Sequence, residues 1–190
     1  MSEKKRLPPG QRLTQEFPIL HFGGVPDFDR ARWSFRIFGA VAEEKTLTYD
    51  RFLALPNTER TEDFHCVTGW SRYDNRWTGV SSRTVAGLVT LLPGAAHVLV
   101  HGEQNYTTNL PLAEFLDDDV LFAWRHDGAD LTPEHGYPLR LVVPKLYAWK
   151  SAKWVRGIEF MTEDQRGFWE SYGYHNHGDP WTEERYSSQE

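Results

Sequence analysis

The chain has 190 residues and a formal net charge of −6, from 21 Lys and Arg against 27 Asp and Glu. That length suits one domain with a substantial core and is short for two. The acid excess excludes general nucleic-acid binding, which needs a basic face, and the single cysteine, Cys66, excludes an internal disulfide and points to a reducing compartment.

Residues 1–16 are polar and carry Pro8, Pro9 and Gly10, the composition of a flexible N-terminal arm; residues 17–190 are expected to form a single domain. The basic start has no apolar run behind it and matches neither a secretory nor a twin-arginine signal. No stretch approaches the ~20 apolar residues of a membrane span, so the expectation is a cytoplasmic protein with no membrane segment. Residues 33–39 alternate apolar and polar and stop at Gly39, as a half-buried strand does. Thr48 can cap a short helix over 49–55 that ends before Pro56. Alternation returns over 63–68, a strand that puts Phe64 and Cys66 on one face and His65 on the other. Ser82 can cap a helix running to Leu92, where Pro93-Gly94 ends it. Short apolar strands follow over 96–100 and 120–124, the second closed by the Asp127-Gly128 turn. The β-branched run 139–143 is cut off by Pro144, and 153–160 is the last alternating strand. The segment 168–181 is aromatic and His-rich with few regular signals. Many short strands, a few short helices and long connections predict a mixed, mainly β, α+β domain.

Three constellations carry chemistry. A lone thiol is core filler, a nucleophile or a ligand for one soft metal. Zinc or an iron–sulfur cluster needs several cysteines, so a metal at Cys66 would need its other ligands from His, carboxylate or a cofactor. A Cys/His hydrolase needs an imidazole beside the thiol, and His65 points away. The second constellation is His135, Arg140, Ser151 and Lys153. An Arg flanked by apolar residues must be paired, either with an internal carboxylate or with a phosphate. The third is the tail 172–181, where His175 and His177 are too few to define a metal site and Tyr174 can donate to a substrate. Aromatics are 14% of residues, with 8 Trp; they suit a Trp-rich core or the walls of a pocket for a flat ligand.

Taken together, these residues resemble the molybdopterin-binding domain of the sulfite oxidase family, most of all its short single-domain bacterial members. The likeness runs over 17–181. It is carried by Phe17-Pro18-Ile19-Leu20-His21, the strand with Cys66, Trp77-Thr78-Gly79-Val80, the run His135-Gly136-Tyr137-Pro138-Leu139-Arg140 and the pair Lys153-Trp154. The resemblance implies a molybdenum–molybdopterin cofactor, two of its sulfur ligands from the pterin and one from Cys66. It implies that His21, His135, Arg140, Ser151, Ala152 and Lys153 contact the pterin or its phosphate, and that Tyr174 lies beside the metal. One cysteine then suffices, because the cofactor supplies the other ligands.

Two departures stand out. Many sulfite oxidases hold sulfite with an arginine four residues after the ligand cysteine. Here that position is Trp70, and Arg72 follows two later, so Arg72, Trp70 and Tyr174 become the expected substrate-side residues. Family members also often carry Asn before the early His, where this chain has Ile19-Leu20. The expected protein is a molybdenum oxidoreductase that moves an oxygen atom to or from a small-molecule substrate. With no haem or C-terminal dimerisation domain in the sequence, a separate electron acceptor and a monomer are expected. The alternative is a molybdopterin-binding module that has lost turnover.

Overall fold

In the computed structural model, which describes residues 6–190, the alternating segments become strands of two sheets. The chain begins with β1 (Arg12–Leu13), β2 (Ser34–Gly39), β3 (Lys45–Thr48), helix α1 (Tyr49–Leu53), β4 (Thr58–Cys66) and β5 (Trp70–Ser81). Helix α2 (Ser82–Ala86), β6 (His97–Gly102), β7 (Thr107–Pro111) and α3 (Leu112–Phe115) follow. The second half holds β8 (Leu121–His126), β9 (Ala129–Asp130), β10 (Arg140–Val142), β11 (Val155–Met161) and α4 (Phe168–Ser171). One sheet has the order β1-β5-β8-β10, with β4 against β5 and β9 against β8; the other runs β3-β2-β11-β6-β7. This is the expected mainly β, α+β architecture.

The main core joins the two sheets through Phe35, Ile37, Phe52, Phe122, Ile158 and Phe160, all buried. Each such side chain contributes about 1.5–3 kcal/mol by leaving water. A smaller cluster holds Phe64, Cys66, Trp70 and Trp77. Thr48 caps α1 as expected, its hydroxyl accepting from Arg51 N. The β8–β9 turn is Asp127-Gly128, both at positive φ.

Three local readings need correction. The helix expected from Ser82 to Leu92 is only five residues, and its cap is Ser81, whose Oγ accepts from Thr84 N at 3.1 Å. It stops because residues 90–92 go to another partner: Ala42 N donates to Thr90 O at 2.8 Å, and Leu92 N to Ala40 O at 2.9 Å. The strand expected over 63–68 begins earlier, at Thr58, and ends at Cys66. Of the expected arm, residues 1–5 lie outside the described residues, while 6–16 are held. Arg12 and Leu13 pair in parallel with Trp70 and Ser71, Arg6 Nε donates to Asp63 at 2.9 Å, and Gln11 Nε2 donates to Cys66 O at 3.1 Å. Paired with β4 on one side, β5 would otherwise leave its backbone polar groups unpaired at this end.

Candidate functional site

Cys66 is the last residue of β4, and the turn into β5 aims its side chain. Gly69 N donates to Cys66 O at 3.0 Å, and Gly69 takes φ 93°, which L side chains avoid. Cys66 and Trp70 face each other across the turn. The thiol is 7% exposed and lines a cavity of about 290 Å³. Burial pushes the thiol pKa up, and a hydrogen bond from Thr68 Oγ1 to Sγ at 3.2 Å opposes that. His65 points elsewhere, its Nδ1 2.8 Å from Ser71 Oγ. The geometry for a Cys/His pair is therefore absent at this histidine.

The cavity collects the expected cofactor residues from distant elements. His21, His135, Arg140, Ser151, Ala152, Lys153 and Tyr174 all line it with Cys66. Arg140 sits at the start of β10, 2% exposed. Its Nη1 donates to His135 O at 2.9 Å and its Nη2 to Ser151 O at 3.3 Å, while Nε has no partner. No carboxylate pairs with it among the described residues. Burial lowers its pKa to about 9. The expected alternative, an internal Arg–carboxylate bridge, is thus not what the structure contains. Lys153 Nζ donates to Leu20 O at 2.8 Å and Glu134 O at 2.6 Å, and burial, reinforced by Arg140, lowers its pKa to about 7. Gly136 lets these two cations approach, since a Cβ there would stand 3.1 Å from Arg140 Cβ and 3.2 Å from Lys153 Cβ.

His135 lies flat on Phe17, centroids 4.6 Å apart and planes 7° apart. Its Nε2 donates to Phe17 O at 2.9 Å, and burial lowers its pKa. His21 is edge-on to Trp154 at 5.5 Å. Ser151 Oγ accepts from Val143 N at 2.9 Å and Ala152 O from Leu141 N at 2.8 Å, so the 151–153 segment is fixed by its neighbours. Tyr174 packs against Trp149 and Trp169, centroids 5.1 and 5.4 Å away.

Arg72 does not join this group. Its Nη2 donates to Asp127 at 2.6 Å, its Nε to Gln15 O at 3.1 Å and its Nη1 to His126 at 3.2 Å, and it does not line the cavity. The carboxylate at the β8–β9 turn outcompetes the apolar cavity for the guanidinium. Sequence reasoning missed the walls supplied by Tyr106 and Trp169. The high aromatic content was their signal, but nothing in local spacing marks Tyr106.

A buried guanidinium and a half-buried lysine without a carboxylate, beside a thiol and aromatic walls, match a flat polyanionic group. A pterin phosphate fits the unused Arg140 Nε–H and the Lys153 ammonium, and the thiol suits a soft metal.

Comparisons with known proteins bear on the family. The family described as "oxidoreductase molybdopterin binding domain" matches residues 22–169. The chain is 48% identical over 183 residues to the "uncharacterized oxidoreductase YuiH" of Bacillus subtilis, covering 96% of this chain and 92% of that protein. It is 30% identical to the "protein-methionine-sulfoxide reductase catalytic subunit MsrP" of Campylobacter jejuni, covering 80% of this chain and 57% of the relative. The "nitrate reductase [NADH]" of Volvox carteri is 26% identical, with 22% of its length covered. The sulfane dehydrogenase SoxCD of Paracoccus pantotrophus shares the fold, with a TM-score of 0.68 at 23% identity over 75% of this chain and 41% of that one.

Proposed function

The chain belongs to the oxidoreductase molybdopterin-binding domain family, a family of molybdenum–molybdopterin enzymes, and from that premise we propose that it transfers an oxygen atom to or from a small substrate, with Cys66 as the protein's ligand to the metal. The observation that carries this reading is Arg140: a buried guanidinium with one unused N–H and no carboxylate, in the same cavity as the protein's lone thiol. A buried charge is tolerated only when something neutralises it, and a cofactor phosphate would do so here.

When bound, the molybdenum–pterin group supplies a two-electron centre that exchanges an oxygen atom with the substrate. The chain's own residues do the rest. Arg140 and Lys153 would hold the phosphate by charge-assisted hydrogen bonds. Ser151 and Ala152, locked by Val143 and Leu141, hold the segment around it. His135, flat on Phe17, and His21 meet the pterin's polar edges. Phe17, Trp70 and Trp154 keep water out. Tyr174, in the cavity lining with Cys66, would offer its hydroxyl as a hydrogen-bond donor to the substrate. A separate electron partner in the cytoplasm completes the turnover. The relatives' names cover chemically different substrates, methionine sulfoxide and nitrate, so the substrate must be read from the cavity.

The test is metal and pterin analysis of protein made in a molybdenum-replete host, followed by turnover with oxygen-atom donors and acceptors. Near-equal molybdenum and pterin with turnover supports the reading. Protein that carries neither, or that carries both and turns nothing over, overturns it.

A further inference from the structure

The turn that carries Cys66 is gripped from two sides by residues far away in sequence, and the role of that grip rests on the molybdenum function just proposed. On one side, Arg12 N donates to Gly69 O at 2.9 Å, and Gln11 Nε2 donates to Cys66 O at 3.1 Å. Ser71 Oγ donates to Gln11 Oε1 at 3.2 Å, which fixes the end of the amide that faces Cys66. His65 Nδ1 lies 2.8 Å from the same hydroxyl. With the Ser71 proton given to Gln11, the imidazole is the donor in that contact.

On the other side, Arg185 Nη1 donates to Val67 O. The carbonyls of Cys66, Val67 and Gly69 are thus all taken by groups outside β4 and β5. The Arg185 guanidinium lies over the Tyr147 ring at 5.1 Å and 3.6 Å from Glu183, and its side chain is 17% exposed. Its backbone joins the cavity wall: Arg185 O accepts from His175 N at 3.1 Å, and Tyr174 bridges to Tyr186. The two grips also meet each other. Gly10 takes φ 68°, and a Cβ there would stand 2.8 Å from Glu183 Oε1 and 2.9 Å from Arg185 Nη2.

Among the cations near the thiol, Arg185 has a distinct position. Arg140 and Lys153 line the cavity, where a bound phosphate would use both. Arg72 is tied to Asp127, Gln15 and His126. Arg185 does not line the cavity, so it would not touch a bound cofactor, yet its charge reaches the sulfur. Burial raises the Cys66 pKa, and after Thr68 the Arg185 charge is the next influence opposing it.

We propose that Arg185 is a positioning residue for the metal: with Gln11 it holds the Cys66–Gly69 turn so that the sulfur faces the cavity, and its charge raises the metal's reduction potential. A cation that water screens little stabilises the reduced, more negative state of a neighbouring centre. A pinned turn keeps the thiolate from swinging away, and small misplacements of a reacting group are costly in rate.

The test compares Arg185→Gln, Arg185→Lys and Gln11→Ala with wild type. In cofactor-free protein, backbone hydrogen exchange over residues 66–70 should quicken about fivefold in Arg185→Gln and in Gln11→Ala, the loss of one hydrogen bond. In loaded protein of measured molybdenum and pterin content, the molybdenum midpoint potential should fall in Arg185→Gln. It should stay near wild type in Arg185→Lys and Gln11→Ala, which keep the charge. The Mo(V) resonance should change in Arg185→Gln and Gln11→Ala, and kcat should fall about tenfold or more with KM nearly unchanged. Exchange of the turn unchanged in both variants, or an unchanged potential and Mo(V) resonance in loaded Arg185→Gln, overturns the inference and leaves the molybdenum reading intact. Wild-type protein without molybdenum and pterin overturns both.

Discussion

At Cys66, packing and chemistry make different demands. The thiol lies in the cluster of Phe64, Trp70 and Trp77, yet it also lines the cavity. Cys66→Ser keeps the size of the side chain and the Thr68 hydroxyl beside it. The cofactor-free protein should therefore lose only about 1 kcal/mol in urea unfolding, while turnover disappears. Loss of several kcal/mol with turnover retained would mean that the residue is core filler. Arg140 carries a second prediction. With no cofactor bound, its buried charge has no counter-ion, only two carbonyls and the faces of Phe17, Phe64 and Trp77, so Arg140→Met should leave the cofactor-free protein within about 1 kcal/mol of wild type. Pterin content of the purified variant should fall at least about tenfold, because a charge-assisted contact to the phosphate is lost. A variant that loads pterin normally would remove Arg140 from the phosphate site. Arg140 and Lys153 were legible in the sequence because an Arg among apolar neighbours requires an explanation, whereas His21 and Ala152 were reached only through the family resemblance. Arg72 was misread because sequence spacing does not show the Asp127 carboxylate, brought over by the β8–β9 turn.

Between elements, buried and half-buried ion pairs hold the cavity's far wall. Lys150, just before the 151–153 segment, lies 2.7 Å from Glu170 of α4, with side-chain exposures of 1% and 0%. Glu170 also accepts from Trp149 Nε1 at 3.0 Å and Thr108 Oγ1 at 2.8 Å. Burial lowers the lysine pKa and the glutamate beside it limits the fall. Lys150→Met strands a buried carboxylate and should cost about 3–5 kcal/mol in chemical denaturation; a cost within error would show that the pair does not brace these elements. His177 ties the tail to α3, with Nε2 2.8 Å from Glu114 and Nδ1 2.7 Å from Glu184. Those carboxylates, Glu114 first, raise its pKa to about 9. A raised folded-state pKa contributes stability that is complete below the unfolded value near 6.5 and is lost as pH rises through about 9. The contribution should be about 1 kcal/mol, because these side chains are about one-third exposed and water screens the pair. A stability profile from pH 6 to 10 should show this alkaline loss in wild type and not in His177→Gln. β5 was not anticipated as a strand, although it is the longest. Asp74 within it takes φ 54°, and the polar run Tyr73-Asp74-Asn75-Arg76 reads as a loop. Pairing with β4, β8 and β1 overrides that local preference.

Across the whole molecule, two sheets bring residues far apart in sequence, from His21 to Tyr174, to one cavity. The mainly β fold was legible from alternation, and the cavity's chemistry from its cations and thiol. The position of the tail and of residues 6–16 was not, because both are set by long-range pairing rather than local pattern. Ordering around a bound cofactor should raise the folded state's stability by about 4 kcal/mol if the cofactor is present at a thousandfold its dissociation constant. That corresponds to a melting temperature about 8–16 °C higher for loaded than for cofactor-free protein; coincident melting curves would argue against a cofactor buried in the domain. The claim on which the rest depends is that Cys66 holds the metal. X-ray absorption at the molybdenum edge, on loaded wild type and on loaded Cys66→Ser, tests it most directly. One sulfur ligand fewer at molybdenum in the variant is the predicted result, and an unchanged sulfur count would contradict it.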